Sequence, residues 1–229
     1  MPIYGYLRYL FVITLLGCSA VKDASAAAHI PGYPDNVEYS FDPREVALLP
    51  HYCIYTRVFR TSIPGGNNKV EIDRWSAVMG PAFNALHHYC WGLMKMNRAL
   101  LLAKDKQVKA YYLRAANDDF DYVFRFASRD FVLMPEILTK KGENLIRLGR
   151  KVEGLAEINR ALEIKQDYWP AYAALSDYYE STGDVAKARE LLQKALTIAP
   201  DEKALNRRLA DLDSTKAKKK PSQGEGAGG

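Results

Sequence analysis

The stretch WPAYAALSDYYESTGDVAKARELLQKALTIAP, residues 169–200, decides how the rest of this chain is read. Tyr172, Leu175, Tyr178 and Tyr179 recur at three- and four-residue steps, so one face of a helix over 171–181 is apolar. Gly183 stops that helix and Asp184 is placed to cap the next, whose own stripe is Val185, Ala188, Leu191, Leu192 and Ala195. The pattern has already run once, 34 residues earlier. Leu138 aligns with Tyr172, Gly142 with Ser176, Leu145 with Tyr179, Gly149 with Gly183, Gly154 with Ala188, Ile158 with Leu192, Ala161 with Ala195 and Ile164 with Ile198. The small residues Gly154, Ala161, Ala188 and Ala195 let two helix backbones approach closely. A single helical hairpin cannot bury both its faces, so flanking helices are required.

This period, the turn glycines and the Ala-Leu-x-Ile endings resemble the tetratricopeptide repeat family. The second copy matches nearly every position; the first departs with Lys141 where a large apolar residue is usual and Gln166 where the closing proline is usual. The resemblance implies an all-α fold of helix-turn-helix repeats stacked as a short right-handed superhelix, preceded by an irregular N-terminal segment. It implies binding of a protein partner in the concave groove lined by the first helices. Carried over by position, that face comprises Thr139, Lys140, Glu143, Arg147, Ala173, Asp177, Glu180 and Arg207. The lysine and asparagine set by which some relatives hold a C-terminal carboxylate is not reproduced, because Glu143 and Asp177 stand where asparagine-like donors are wanted. Mixed charge points instead to a polar, salt-sensitive groove.

Outward from the repeats, residues 81–134 read as a degenerate helical hairpin. Its first helix carries Phe83, Leu86, His87, Cys90, Trp91, Met94 and Leu101 on or near one face. Its second carries Tyr111, Tyr112, Phe120, Val123, Phe124 and Phe126, with Phe120 where the family has a small residue. Residues 135–200 hold the two repeats. Residues 201–213 read as a closing helix capped by Asp201, with Leu205, Leu209 and Leu212 at helical spacing. Residues 214–229 have too little apolar character to fold and read as a disordered basic tail.

Residues 1–28 read as a secretory signal: Arg8, an apolar run over 9–16 that is short for a membrane span, then small residues over 24–28. Ala24-Ser-Ala26 and Ala26-Ala-Ala28 fit simple cleavage and a periplasmic protein of the bacterial envelope. The competing reading is a lipobox, Leu15-Leu-Gly-Cys18, with Cys18 acylated and the chain attached to the membrane by that lipid; an uncleaved anchor, or a cytosolic protein with a chance apolar start, is a further alternative. The formal charge of +5 is a weak argument for nucleic acid, since four of the lysines lie in the last sixteen residues. The expected partner is an envelope protein, with no nucleic acid.

Residues 29–80 are cut by Pro31, Pro34, Pro43, Pro50 and Pro64 and read as an irregular, cysteine-containing segment. Asp42-Pro43-Arg44-Glu45 is a helix start, with Asp42 as cap and Glu45 reaching back. The tripeptide His-Tyr-Cys occurs twice, at 51–53 and 88–90, with His87 beside the second copy. In an oxidising compartment the pair Cys53 and Cys90 favours a disulfide. Buried free thiols are a second reading, and an N2S2 metal set of His51, Cys53, His87 and Cys90 a third. Tyr52 and Tyr89 are expected in the core with hydroxyls at the surface. No G-x-S-x-G, H-E-x-x-H or Walker loop occurs, and the acids Asp118-Asp119 read as a solvated helix surface. Neither an enzyme nor a cofactor is expected; the alternative is a metal- or thiol-dependent envelope protein.

Overall fold

A computed structural model describes residues 41–219, so the expectations for the leader, for Cys18 and for the end of the tail lie outside the described residues. The described residues hold helices and turns and no strand. Helices α1 (Pro43–Val46), α2 (Phe59–Ser62) and α3 (Lys69–Met79) lie in the N-terminal segment. Then come α4 (Leu86–Leu101), α5 (Lys106–Phe124), α6 (Met134–Arg147), α7 (Lys151–Ile164), α8 (Trp169–Ser181), α9 (Val185–Ile198) and α10 (Lys203–Lys219). The pairs α4/α5, α6/α7 and α8/α9 pack as successive hairpins, and α10 closes the stack on α9.

The repeat logic operates as its small residues require. Ala161, Ala188 and Ala195 are fully buried. A Cβ on Gly142 would stand 2.6 Å from the Gly154 carbonyl, so α6 and α7 meet backbone to backbone. Gly149 and Gly183 end α6 and α8 at φ +84° and +90°, a conformation that side chains disfavour. Asp184 caps α9 by accepting from the Lys187 amide at 3.0 Å. Ala161→Phe and Ala195→Phe are each expected to push these interfaces apart and destabilise by about 1–3 kcal/mol. Urea unfolding checks this, and unchanged midpoints in both would mean the helix register is wrong.

Two of the departures from the repeat pattern, Lys141 and Phe120, have partners. Lys141 extends between hairpins, its Nζ 2.6 Å from Asp121 on α5 and 2.9 Å from Glu157 on α7, with the Phe124 ring 5.1 Å away. Burial alone pulls the Lys141 pKa down, but the hydrogen bonds to Asp121 and Glu157 outweigh it and raise the pKa. Phe120, fully buried, fills the space above Gly92, where a Cβ would collide with its ring. The large and small positions have changed helices, so the hairpin still closes.

Several boundaries differ from expectation. The N-terminal segment is more helical than its prolines imply: α3 has eleven residues, capped by Asn68, which accepts from the Val70 amide at 3.0 Å. Residues Gly80–Ala85 form a 3-10 turn rather than the start of the long helix. Leu101, Tyr111 and Phe126 are exposed, not core. Helix α10 continues to Lys219, past the expected end at 213, so residues 214–219 are helical. Its first turn is capped by Glu202, which accepts from the Ala204 amide at 3.1 Å, and not by Asp201.

Asp42 caps α1 as expected, accepting from the Arg44 amide at 2.8 Å. Glu45 does not reach back to complete that cap. It turns inward and meets the fully buried Arg98 of α4 through both oxygens, at 2.6 Å from Nε and 3.0 Å from Nη2. Together with the cluster of Phe41, Phe59 and Trp91, whose ring centroids lie 5.0–5.2 Å apart, this pair fastens the N-terminal segment along α4.

Candidate protein-binding face

Residues spaced three and four apart on a helix share a face, and Glu136, Lys140, Glu143 and Arg147 do so along α6. Glu143 is the centre of this row, with Lys140 Nζ at 3.3 Å and Arg147 Nη1 at 3.5 Å. On the neighbouring first helix, α8, Asp177 and Glu180 are exposed. From α10, Arg208 reaches Asp177 at 3.3 Å. Crowding raises the Asp177 pKa above the usual carboxylate value; Arg208 pulls it back, while Glu143 and Glu180 push it up again.

Of the eight residues expected on this face, Lys140, Glu143, Arg147, Asp177 and Glu180 are at least partly accessible and Arg207 is exposed. Thr139 and Ala173 are corrections: both are buried, and the Thr139 hydroxyl donates to the Pro135 carbonyl at 2.8 Å within its own helix. Beside the exposed Arg207, it is Arg208 that makes the link to Asp177. Two clefts in the structure lie along α7, one of about 190 Å3 lined by Phe124, Met134, Arg160 and Ile164, the other by Leu162, Tyr172 and Lys194. Neither cleft is lined by any of the eight residues.

At its upper end the face meets the N-terminal segment through the repeated tripeptide. Cys53 and Cys90, both fully buried, are bonded, with their Cα atoms 5.7 Å apart. The preceding tyrosines then converge on a single oxygen. Tyr89 Oη donates to Glu136 Oε1 at 2.7 Å and Tyr52 Oη donates to the same atom at 3.3 Å. The expectation of surface hydroxyls is therefore corrected: both tyrosines are buried, and their hydroxyls are spent on α6. Burial, reinforced by the Glu136 carboxylate, raises both phenol pKa values well above 10, and Tyr168 is raised for the same reasons. A raised folded-state pKa stabilises below the unfolded value and is lost as pH climbs past it. Stability should thus fall above pH about 10. Tyr52→Phe with Tyr89→Phe should flatten that alkaline decline in chemical unfolding, and an unchanged decline would refute the buried-phenol assignment.

The histidines of the tripeptides go separate ways. His51 Nε2 pairs with the Tyr55 hydroxyl at 3.4 Å, His87 Nδ1 with the Asn84 carbonyl at 3.0 Å, and His88 Nδ1 with Asp119 at 2.8 Å. The N2S2 set is corrected on this ground: its two sulfurs are joined to each other and its histidines hydrogen-bond elsewhere. Among the described residues no group of three or more His, Cys, Asp or Glu side chains is placed to hold a metal. Asp119 is a further correction. It is buried between Lys95, at 3.0 Å, and His88, while Asp118 is exposed as expected.

Glu136 was not among the expected site residues. The duplicated His-Tyr-Cys was its available signal, since bonding the cysteines brings the adjoining tyrosines together, but nothing in the spacing names their acceptor. Residues 169–212 match the family model described as tetratricopeptide repeat, which supports a protein of that kind and covers α8, α9 and much of α10. Repeats of this family generally mediate protein–protein interaction. No curated protein sequence matches the chain.

Proposed function

We propose that this chain is a non-enzymatic protein-interaction scaffold of the bacterial cell envelope, exported by its N-terminal leader, which holds a protein partner on the shared face of α6, α8 and α10. The observation that carries this reading is the row of alternating charges, Lys140, Glu143, Arg147, Asp177, Glu180 and Arg208, presented by three consecutive first helices and linked between helices at Asp177. Such a surface selects by charge register and steers association more than it adds stability.

The test is capture of partners from an envelope extract on immobilised protein. Lys140→Glu with Arg147→Glu should leave helical content and melting temperature nearly unchanged, because exposed helix ion pairs contribute little. Partner recovery should fall, most clearly at low salt. Deleting 216–229 is the control for a basic tail attracting the same partner. Loss of capture on tail deletion, with no effect of the reversal, would place the partner elsewhere than this face. Mass analysis of the mature N-terminus tests export in the same sample: a start at 27–29 supports simple cleavage, an acylated Cys18 supports the lipoprotein, and an intact Met1 sinks both.

A further inference from the structure

Two of the hairpins turn side by side along one edge of the stack, and their turns carry apolar side chains outward. Leu100 and Leu101 close α4 and are 44% and 66% exposed, while Val152, at the start of α7, is 83% exposed. Leu101 follows the fully buried Met94 by seven residues and shares its helical phase, yet lies open where the helix ends. The two turns are neighbours. Leu148, at the end of α6, packs on the cluster of Ala99, Tyr112 and Leu113, and Asn144 Nδ2 donates to the Leu113 carbonyl at 2.7 Å.

The same turns collect cations that have no carboxylate to meet. Lys104, Lys106, Lys109 and Lys151 are exposed, and none makes an ion pair among the described residues. The acids nearby are few and engaged. Helix α4 contains none. Asp105 caps α5, accepting from the Gln107 amide and from the Val108 amide at 3.3 Å, and over 104–109 it stands against three lysines. Glu153 is held by Arg150 at 2.8 Å, and Glu143 by Lys140 and Arg147. The next acid on α5, Asp118, comes nine residues after Lys109, about 13 Å farther along the helix. The complementary surface is therefore anionic. The side-chain types then select among anionic surfaces, because protein interfaces are poor in lysine and their anchors are rarely leucine. Lysine beside protruding leucine suits the boundary of a bilayer instead, where apolar tips enter the acyl region and ammonium groups stay with the phosphates.

We propose that the edge formed by the α4/α5 and α6/α7 turns docks on an anionic lipid bilayer. Leu100, Leu101 and Val152 enter the acyl boundary, and Lys104, Lys106, Lys109 and Lys151 meet headgroup phosphates. This contact is independent of the protein partner assigned to the α6–α8–α10 face, since lipid vesicles contain no protein.

The test floats the full chain with vesicles of phosphatidylcholine alone or of equal parts phosphatidylcholine and phosphatidylglycerol. The anionic vesicles should bind at least about tenfold more tightly than the neutral ones, and less so as salt rises. Lys104→Gln with Lys106→Gln and Lys109→Gln should weaken that binding by about tenfold or more, and Leu100→Ser with Leu101→Ser by about fivefold, with circular dichroism unchanged. Leu101→Trp gives a local readout: its added indole should be quenched by brominated phosphatidylglycerol, beyond any quenching in the parent chain. These variants share both chain ends with the parent, so neither the leader nor the tail accounts for a difference between them. Equal affinity for the two vesicles, equal binding by the Lys104/Lys106/Lys109 variant, or an unquenched added indole overturns the proposal. Loss of binding in Lys218→Gln with Lys219→Gln and Lys220→Gln, with none in the turn variant, gives the membrane to the tail and overturns it too. If soluble polyglutamate binds through the three turn lysines and the vesicles do not bind, the occupant is an acidic protein surface and the proposal falls.

Discussion

Replacing Cys53 and Cys90 together by alanine is expected to lower the unfolding free energy by about 4 kcal/mol. The bond closes a loop across 37 positions, and the chain-entropy model assigns a loop of that length a cost of about this size in the unfolded state. Both sulfurs are fully buried, so the cavity left by truncation adds to the loss. The consequence for the candidate face is specific. Without the bond, Tyr52 and Tyr89 are no longer tied to one another beside Glu136, and the turn His51–Tyr55 is held by packing and by the Tyr52 hydrogen bond to Glu136. Urea unfolding at fixed pH measures the stability change, and phenol absorbance titration reports whether the two tyrosines ionise at lower pH than in the parent. A loss below about 1 kcal/mol, with the tyrosine titration unmoved, would show that the cross-link is incidental to the fold.

Glu45→Ala is expected to cost about 3–5 kcal/mol, because it removes the carboxylate that meets Arg98 through two short contacts in a fully buried setting. A surface pair of the same geometry would be worth less than about 1 kcal/mol. The difference is desolvation: the Arg98 guanidinium loses this carboxylate in a fully buried setting. Replacing both residues, Glu45→Met with Arg98→Met, should be less damaging than Glu45→Ala alone, since no buried charge is then left behind. A double-mutant cycle in chemical denaturation measures that coupling. Simple additivity of the two single changes would mean that each side chain is held independently, and that α1 is not fastened to α4 by charge.

How far each of these features was legible depends on the range over which the sequence speaks. The hairpins α6/α7 and α8/α9 were legible as two copies of one pattern, because their periodicity, turn glycines and small interface residues are local and occur twice. Ala161 and Ala195 are buried where the alignment puts them for the same reason. The N-terminal segment was harder. Its prolines argue against long helices, and α3 carries a mixed, weakly amphipathic sequence that reads equally well as loop. Exposure follows helical phase at Lys140, Glu143 and Asp177, which stay at least partly accessible. Thr139 and Ala173 are buried instead, and on α10 Arg207 is exposed while its neighbour Arg208 makes the contact with Asp177.

The sequence by itself determined the class of the fold, the positions of the repeat helices, the caps at Asp42 and Asp184, and the cysteines available for pairing. Each of these follows from interactions within a turn or two of chain, or from a pattern that the chain repeats. Only the tertiary structure decided where the polar side chains go: Glu45 to Arg98 across 53 positions, Tyr52 and Tyr89 to one oxygen of Glu136, Asp119 to Lys95 and His88, and Lys141 to Asp121 and Glu157. A buried charge or hydroxyl must find a partner, but which one is set by the elements that pack around it, and many groups of the right sign are present in the chain. Apolar periodicity therefore places the helices, whereas polar pairing is settled only when the helices meet.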